Sequence, residues 1–571
     1  MVILSNIKIG DIINQYNKVI SILGGEGKSG MGIVYICYNS LWDIPVALKT
    51  FQERFIFTQK IREEFKHEAL AWVNLKQHPF IVKAYTVDNF KNRLFILLEY
   101  IPVDEKRRNT LAHYLKYPIS LKEALNWGIQ FCLGMEYALL HGIKSHRDIK
   151  PDNIMISPDQ ILKITDFGLA KLYDDFSLSV SEDELSSDNL NKFSCFKNAK
   201  ECLIAGTPPW MAPEQFEGLS DVRSDIYSFG IVLFQMVNHG KLPFICKNFE
   251  DFSNAHKKHP TPKFESPLSS IIKRCLLKQP KDRYQDFEEL RLDLEDLYKE
   301  YIKEELPSLP KEKLDDVANH LFRGYSFNQL GLYDKAQKEL EIALKLDCNH
   351  QAIYSNLGDT YNHKGLYEKA IEILNSGINK FPNHWPLYIY LAKAYNAKGL
   401  KNKAQEAIEK AIKVDSNDAL IYGWVGIIYG ELGNIDMAIK SLQKSLELDP
   451  NNTNNAETYM YLGGFMLNIS EPEALRMFQK SIELNPALDI SYYYLGMSLY
   501  DQDKFNEALI MAQKAVALYP NKASYHVLLG AIFQELGVNN SAIKEYREAL
   551  RIDPYNNDAQ VNLNYLIKLK K

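Results

Sequence analysis

The sequence predicts a chain of two unlike domains, an α+β domain followed by an all-α superhelical solenoid. Its 571 residues are too many for a single hydrophobic core. Up to about residue 297, short runs rich in branched and aromatic residues alternate with helical patterns. From about residue 314 onward, helical periodicity is continuous. This change predicts a domain boundary between the two halves.

Composition and charge exclude several classes of protein. Hydrophobic residues make up 46% and charged residues 24% of the chain, close to the averages for soluble globular proteins. The formal net charge of -5 gives no reason to expect a nucleic acid or an anionic membrane as partner. Residues 1–13 lack the features of a secretory signal, and the most continuous apolar stretch, 226–237, is too short to span a bilayer. We therefore expect a cytoplasmic protein without a membrane partner.

The seven cysteines are scattered and form no Cys-x-x-Cys pair. Neither a disulfide framework nor a zinc site is therefore predicted. Cys195 and Cys202 share one segment and could form a redox pair, although reduced thiols are the simpler interpretation.

The second half repeats itself about every 34 residues. One unit carries Tyr354, Gly358, Tyr361, Ala370 and Pro382, and the same template returns further along the chain. The pattern resembles the tetratricopeptide (TPR) family, a helix-turn-helix repeat. The units begin near residues 317, 351, 385, 419, 456, 489 and 523, and the fifth unit fits worst. The resemblance implies a TPR array of about seven repeats over residues 314–571, closed by a capping helix.

The first half contains a series of short motifs in a fixed order: Val46-Ala47-Leu48-Lys49, His146-Arg147-Asp148-Ile149-Lys150-Pro151-Asp152-Asn153, Asp166-Phe167-Gly168, Gly206-Thr207 and Ala212-Pro213-Glu214. This set resembles the eukaryotic-like protein kinase family. The resemblance covers about residues 11–297 and implies the α+β bilobal protein kinase fold. We place the kinase domain at residues 1–297 and a linker rich in charge and proline at 298–313.

The kinase resemblance implies phosphoryl transfer from ATP. Asp148 would orient a substrate hydroxyl and accept its proton, and Lys150 would stabilise the charge of the transferring phosphate. Asn153 and Asp166 would hold Mg²⁺, which prefers oxygen ligands.

Lys49 would contact the α- and β-phosphates and pair with a carboxylate on the next helix. Glu68 is the predicted partner, ahead of Glu63 and Glu64, because of its distance from His78-Pro79. The other residues predicted to bind ATP are Gly25, Gly27, Gly30, Gly32, Val34, Ala47, Glu99 and Ile101. The register of the glycine loop stays open, because Gly25-Glu26-Gly27-Lys28-Ser29-Gly30 and Gly30-Met31-Gly32 are rival starting points.

Lys150 together with Gly206-Thr207 resembles serine/threonine kinases rather than tyrosine kinases. In that resemblance Thr207 bonds near Asp148 and Lys150, Glu214 pairs with Arg283, and Asp225 anchors the catalytic loop. The segment 166–214 is longer than usual and holds a set of serines among acidic residues: Ser177, Ser179, Ser181, Ser186, Ser187 and Ser194. A regulatory autophosphorylation insert and a surface loop of no consequence are equally compatible with this segment.

The predicted function is phosphorylation of serine and threonine on proteins, with the TPR array recruiting substrate or regulatory proteins. The alternative is a weak or inactive kinase-like domain that serves as a TPR scaffold. Positions 5, 9 and 12 of the first helix in units three to six should line the concave face: Ile389, Lys393, Asn396, Gly423, Ile427, Gly430, Met460, Gly464, Leu467, Tyr493, Met497 and Tyr500. This largely apolar set favours a hydrophobic protein segment as ligand. Packing against the kinase domain or a second copy of the chain is the alternative, which leaves a homodimer open.

Overall fold

The computed structural model describes residues 7–14, 16–24, 32–52, 55–167, 171–172, 206–306, 316–450, 452 and 455–569. Within these residues a two-lobed N-terminal domain is followed by an array of helix pairs. No helix in these ranges combines the length and apolar character that a membrane crossing requires. Five cysteines in the same ranges are free: Cys37, Cys132, Cys246, Cys275 and Cys348. Cys195 and Cys202 lie outside the described residues.

The N-terminal lobe is built on a six-stranded antiparallel sheet with the strand order β1-β2-β3-β4-β6-β5. Its strands are β1 (Ile12–Ile13), β2 (Asn17–Gly24), β3 (Gly32–Asn39), β4 (Ile44–Phe51), β5 (Ala84–Phe90) and β6 (Arg93–Glu99). Side chains alternate between the two faces, so in β4 Val46 and Leu48 are buried on one face while Ala47 and Lys49 point to the other. The alternation directs Lys49 toward the cleft between the lobes.

Helix α1 (Gln59–Asn74) packs on this sheet through one apolar stripe. Ile61, Phe65, Ala69 and Trp72 are buried at the spacing expected of a helix face. The ring of Phe65 lies 5.7 Å from that of Phe51 at the end of β4. Glu68 lies on the same buried face, so this packing carries a carboxylate into the lobe.

The C-terminal lobe is mainly helical, with α2 (Leu111–Tyr114), α3 (Leu121–Leu140), α4 (Val222–Val237), α5 (Phe249–Lys258), α6 (Ser269–Cys275) and α7 (Phe287–Ile302). Two antiparallel ribbons lie at the cleft, β7 (Ile143–Ser145) with β10 (Lys171–Leu172) and β8 (Ile154–Ile156) with β9 (Leu162–Ile164). Helix α4 is buried along most of its length, as its apolar sequence predicts, and Phe229 stacks on Phe131 of α3 at 3.9 Å. These helices support the loop of residues 146–153 between β7 and β8.

The array contains seven helix pairs within the described residues, followed by one further helix. Its helices are α8 (Val317–Gln329), α9 (Tyr333–Leu346), α10 (Gln351–His363), α11 (Tyr367–Lys380), α12 (Trp385–Ala397), α13 (Lys401–Val414), α14 (Ala419–Glu431), α15 (Ile435–Leu448), α16 (Ala456–Met466), α17 (Glu471–Leu484), α18 (Asp489–Asp501), α19 (Phe505–Leu518), α20 (Ala523–Glu535), α21 (Asn539–Ile552) and α22 (Asn557–Leu569). The first helix of each pair begins where the sequence repeat begins its unit. The fifth unit, which fits the repeat worst, has a first helix of 11 residues, whereas that of the second unit has 13.

Small residues allow the two helices of a unit to approach closely. Gly358 of α10 faces Leu374 of α11, and an added Cβ would lie 2.4 Å from a methyl carbon of that leucine. The fourth residue of every second helix is a fully buried alanine: Ala336, Ala370, Ala404, Ala438, Ala474, Ala508 and Ala542. The array therefore holds together by the same contact repeated along its length.

The first repeat packs against the N-terminal lobe. Helix α8 lies along β5, where the Val87 N–H donates to the Ser326 hydroxyl at 2.9 Å. The Trp42 ring lies 5.5 Å from that of Phe322, and the apolar core of the N-terminal domain continues into Phe327 of α8. The domain and the first repeat thus share one hydrophobic core.

Candidate active site

The predicted catalytic loop, residues 146–153, lies between β7 and β8 and is anchored by Asp225 of α4. The buried Asp225 carboxylate accepts the backbone N–H groups of His146 at 2.6 Å and Arg147 at 2.9 Å. Arg147 adopts a φ of 71°, a left-handed conformation that is uncommon for a residue with a side chain. The two bonds to Asp225 stabilise this unusual backbone and so fix the position of the next residue, Asp148.

Asp148 lies at the centre of a polar network in the cleft. The Thr207 hydroxyl donates to one of its carboxylate oxygens at 2.6 Å. Lys150 Nζ donates to the other oxygen at 2.7 Å and to Thr207 Oγ1 at 2.9 Å. Asn153 Nδ2 donates to the same carboxylate at 3.1 Å and to the Asp148 carbonyl at 2.9 Å. The structure therefore brings Asp148, Lys150, Asn153 and Thr207 together, in fixed orientations.

Lys49 connects the N-terminal lobe to Asp166 on the other side of the cleft. Its Nζ lies 2.5 Å from the Glu68 carboxylate and 2.7 Å from Asp166 Oδ1. Burial by itself would lower the pKa of Lys49, but Asp166 and Glu68 outweigh it and raise that pKa. Burial likewise opposes ionisation of Asp166, yet Lys49 brings the pKa of Asp166 down to about 2. Both groups are charged at neutral pH.

An aromatic stack ties helix α1 to the catalytic loop. The Phe167 ring, which follows Asp166, meets the Trp72 ring edge-on at 5.1 Å and lies 4.8 Å from the His146 ring. Burial lowers the pKa of His146, so its imidazole is neutral. In that form Nε2 donates to the Thr165 carbonyl at 3.1 Å and Nδ1 accepts the Asp148 N–H at 3.4 Å. The stack thus places α1 in contact with the loop that contains Asp148.

Asn153 and Asp166 supply ligand atoms that fit a divalent cation. The Asn153 amide nitrogen is bonded to Asp148, which leaves its amide oxygen as the ligand atom. The low pKa of Asp166 keeps its carboxylate ionised. Carboxylate and amide oxygens, completed by water and substrate phosphate, are the ligands that Mg²⁺ takes. The residues present therefore fit Mg²⁺.

The predicted nucleotide-binding residues of the sheet surround the same cleft. Val34 of β3 and Lys49 of β4 are paired across the two strands, and Ala47 lies on the same face as Lys49. At the end of β6, the Glu99 carboxylate bonds to Lys163 Nζ at 2.8 Å. The Ile101 carbonyl accepts from Asn109 Nδ2 at 3.0 Å.

Several predicted residues fall outside the described part of the chain. Gly32 begins β3, but Gly25, Gly27 and Gly30 lie outside it, so the register of the glycine loop stays a prediction. Residues 173–205, with the acidic segment and its serines, also lie outside it.

A buried ion pair joins Glu214 to Arg283, 69 residues further along the chain. Arg283 donates to the Glu214 carboxylate with both terminal nitrogens, at 2.7 and 2.9 Å. The same guanidinium also donates to the Leu277, Lys278 and Arg223 carbonyls. This pairing across the chain is the one the sequence predicts.

The order of these groups along the chain matches a known family. A family model described as "Protein kinase domain" matches residues 18–292. Residues 18–292 belong to the protein kinase family. Models described as "Tetratricopeptide repeat" match residues 323–384, 386–418, 419–452 and 493–557, so the helix pairs from α8 to α15 and from α18 to α21 are TPR repeats.

The chain is similar to several bacterial proteins over its kinase half. It is 28% identical over 312 residues to a protein named "Probable serine/threonine-protein kinase" in Clostridium acetobutylicum, covering 52% of this chain and 42% of that one. It is 30% identical over 289 residues to the serine/threonine-protein kinase PknD of Chlamydia pneumoniae, covering 47% and 30%. It is 28% identical over 296 residues to the serine/threonine-protein kinase PrkC of Bacillus subtilis, covering 50% and 41%. The aligned part thus spans less than half the length of each relative.

Two contacts of the kinase site were missed by sequence reasoning. Trp72 reaches Phe167 because it lies one helical turn after Glu68, on the same face of α1, and this spacing could have identified it. Lys163 binds Glu99 across 64 residues of chain, and no local pattern indicates that pair.

Proposed function

We propose that the chain transfers the terminal phosphoryl group of ATP to serine and threonine hydroxyls of proteins. The observation that carries the proposal is the orientation of the Asp148 carboxylate, which Thr207, Lys150 and Asn153 hold together beside the Lys49–Asp166 pair. Phosphoryl transfer depends on placing charged groups rather than on covalent chemistry by the protein. The cleft supplies such groups in fixed positions.

Each side chain has a part in this reaction. The hydroxyl oxygen of the substrate bonds to the terminal phosphorus of ATP while the bond between that phosphorus and ADP breaks. Asp148 accepts the proton that the substrate hydroxyl loses. Lys150 stabilises the negative charge on the transferring group, and Lys49, held by Glu68, binds the other phosphates of ATP. When bound by Asn153 and Asp166, Mg²⁺ neutralises phosphate charge.

The remaining predicted residues would bind the adenine end of ATP. Val34 and Ala47 offer apolar surface on one face of the sheet, and the backbone at Glu99 and Ile101 offers hydrogen-bonding groups. Gly32 and the glycines before it would cover the phosphates, since glycine allows a close approach of the backbone.

The TPR array is proposed to recruit a protein segment to the kinase domain. Ile389 and Met460 are only 1% and 6% exposed, so these two predicted positions are not available to a ligand. Tyr493, Met497 and Tyr500 are partly exposed and follow one another along α18. This strip of apolar surface is where we expect a hydrophobic protein segment to bind.

The cytoplasm is the proposed location. ATP is available there, and the five free cysteines of the described ranges suit a reducing compartment.

The test is transfer of labelled phosphate from Mg-ATP to the chain itself and to a generic basic protein. We expect serine and threonine to be labelled by the wild type, with a loss of roughly 10²- to 10⁴-fold in Asp148→Asn. Asp152→Asn is the matched control, because Asp152 is an exposed carboxylate in the same loop. A wild-type chain that neither binds ATP nor transfers phosphate would overturn the proposal in favour of a scaffold.

Recruitment is tested with the same assay. Tyr493→Glu combined with Met497→Glu should raise the KM for a protein substrate and leave the KM for ATP unchanged. An unchanged KM for every protein substrate tried would exclude this strip of α18 as the recruiting surface.

A further inference from the structure

The array contacts the N-terminal lobe at a second place, close to the start of helix α1. The Phe57 ring, just before α1, meets the Tyr492 ring of α18 at 6.1 Å. Asn92, in the turn between β5 and β6, donates to the Ala487 carbonyl at 3.1 Å. A cleft of about 580 Å³ opens beside these contacts, and Ala487 and Leu518 of the array pack against the hydrophobic core of the N-terminal domain.

Arg62 of α1 makes the most extensive of these contacts. Its Nη2 donates to the Ala517 and Leu518 carbonyls, both at 2.9 Å, and its Nη1 donates to the Ile56 carbonyl before α1. The first two carbonyls belong to the last turn of α19, where helix carbonyls have no partner within the helix. The C-terminal end of a helix also carries partial negative charge, which favours a cation. The guanidinium therefore gives a hydrogen-bond donor to two carbonyls at the C-terminal end of α19, and so links α1 to the array.

Helix α1 connects the array to the residues around Lys49 and Asp166. Arg62 lies less than two turns before Glu68, which binds Lys49, and Trp72 of the same helix packs on Phe167. Thr58, which precedes α1, makes no side-chain capping bond to the helix. The start of α1 is thus held by Arg62 and its carbonyl partners instead of by its own cap.

We propose that Arg62 is a positioning residue for phosphoryl transfer, and that the sixth TPR repeat is its partner. This inference rests on the proposed kinase activity. Arg62 touches no reacting atom and acts through α1, because the bond to α19 favours the position of α1 in which Glu68 holds Lys49. If that position is populated for a smaller fraction of the time, the apparent affinity for ATP falls in proportion.

The experiment compares the full-length chain with Arg62→Ala, Arg62→Lys and Lys66→Ala. Lys66 is an exposed cation on the same helix and serves as the matched control. We expect Arg62→Ala to raise the KM for ATP about 10- to 100-fold, which corresponds to the loss of a charge-assisted hydrogen bond. The KM for the protein substrate should stay unchanged. Arg62→Lys should recover part of the loss, because an ammonium group can still donate to one carbonyl.

Amide hydrogen exchange separates positioning from a general loss of folding. In Arg62→Ala, exchange should increase over residues 59–74 and stay unchanged in the buried helix 222–237. An unchanged KM for ATP with unchanged protection of residues 59–74 would overturn the proposal. So would a lower kcat with wild-type KM values, which indicates only less folded enzyme. A wild type without activity would refute the proposed function instead, and the exchange measurement would still decide whether Arg62 tethers α1.

Discussion

The kinase domain and the TPR array join their buried side chains over different distances along the chain. In the kinase domain, the Arg283 side chain is 0% exposed and pairs with Glu214, and Lys49 pairs with Asp166 across 117 residues of chain. In the array, buried contacts join neighbouring helices: Ala370 of α11 is 0% exposed, and His526 of α20 pairs with Glu545 of α21, only 19 residues further along the chain. The array therefore depends on short-range contacts that repeat, whereas the kinase domain depends on charge pairs between distant segments. The comparison shows that buried charge pairs in the kinase domain hold together segments that are far apart in the chain.

The largest expected effect comes from breaking a buried pair of the kinase domain. Arg283→Met leaves the Glu214 carboxylate, only 15% exposed, without its cationic partner and with the Ser224 hydroxyl still donating to it at 2.6 Å. We expect the free energy of unfolding of the kinase domain to fall by about 3–5 kcal/mol, because an uncompensated charge remains buried. Denaturant unfolding of the full chain measures the change.

The control for Arg283→Met is the double variant with Glu214→Leu, which removes both charges. It should recover part of the lost stability. A loss under about 1 kcal/mol in the single variant, the size typical of exposed ion pairs, would show that the pair resembles a surface contact and would break the comparison.

A smaller effect is expected from overpacking one contact of the array. Gly358→Ala places a methyl group 2.4 Å from a side-chain carbon of Leu374 and should lower the stability of the array by about 1–3 kcal/mol. Gly464→Ala is the matched control, because a Cβ there meets nothing within 4 Å. Alanine at Gly464 should be neutral or stabilise the array by up to about 1 kcal/mol through helix propensity.

Thermal unfolding followed by circular dichroism measures both glycine variants. Equal effects of the two substitutions would mean that the approach of α10 to α11 does not limit stability. Close packing between helices would then not explain the stability of the array, and the comparison with the Arg283–Glu214 pair of the kinase domain would fail.

Sequence reasoning succeeded where the relevant residues lie in ordered motifs or repeats. The distance of Glu68 from His78-Pro79 favoured Glu68 over Glu63 and Glu64, and in the structure Lys49 Nζ lies 2.5 Å from the Glu68 carboxylate. The repeat period located the first helix of each unit, because one packing solution recurs. Both successes come from patterns that can be read along the chain.

The contacts between the two domains could not be predicted in this way. Arg62 looks like an ordinary cation on an exposed helix face, and its partners are backbone carbonyls, which carry no sequence identity. Ser326 binds the Val87 N–H across 239 residues of chain. These contacts depend on how the surfaces of the two folded domains pack together. The pattern of neighbouring residues in the sequence contains no information about that packing.

The position of α8 along β5 has a consequence for aggregation. β5 is the outermost strand of its sheet, and an open strand edge is a template on which another chain can add a strand. Here α8 covers that edge, and Ser326 occupies the Val87 N–H that an incoming strand would use. The first repeat therefore protects this edge of the kinase domain from edge-to-edge association.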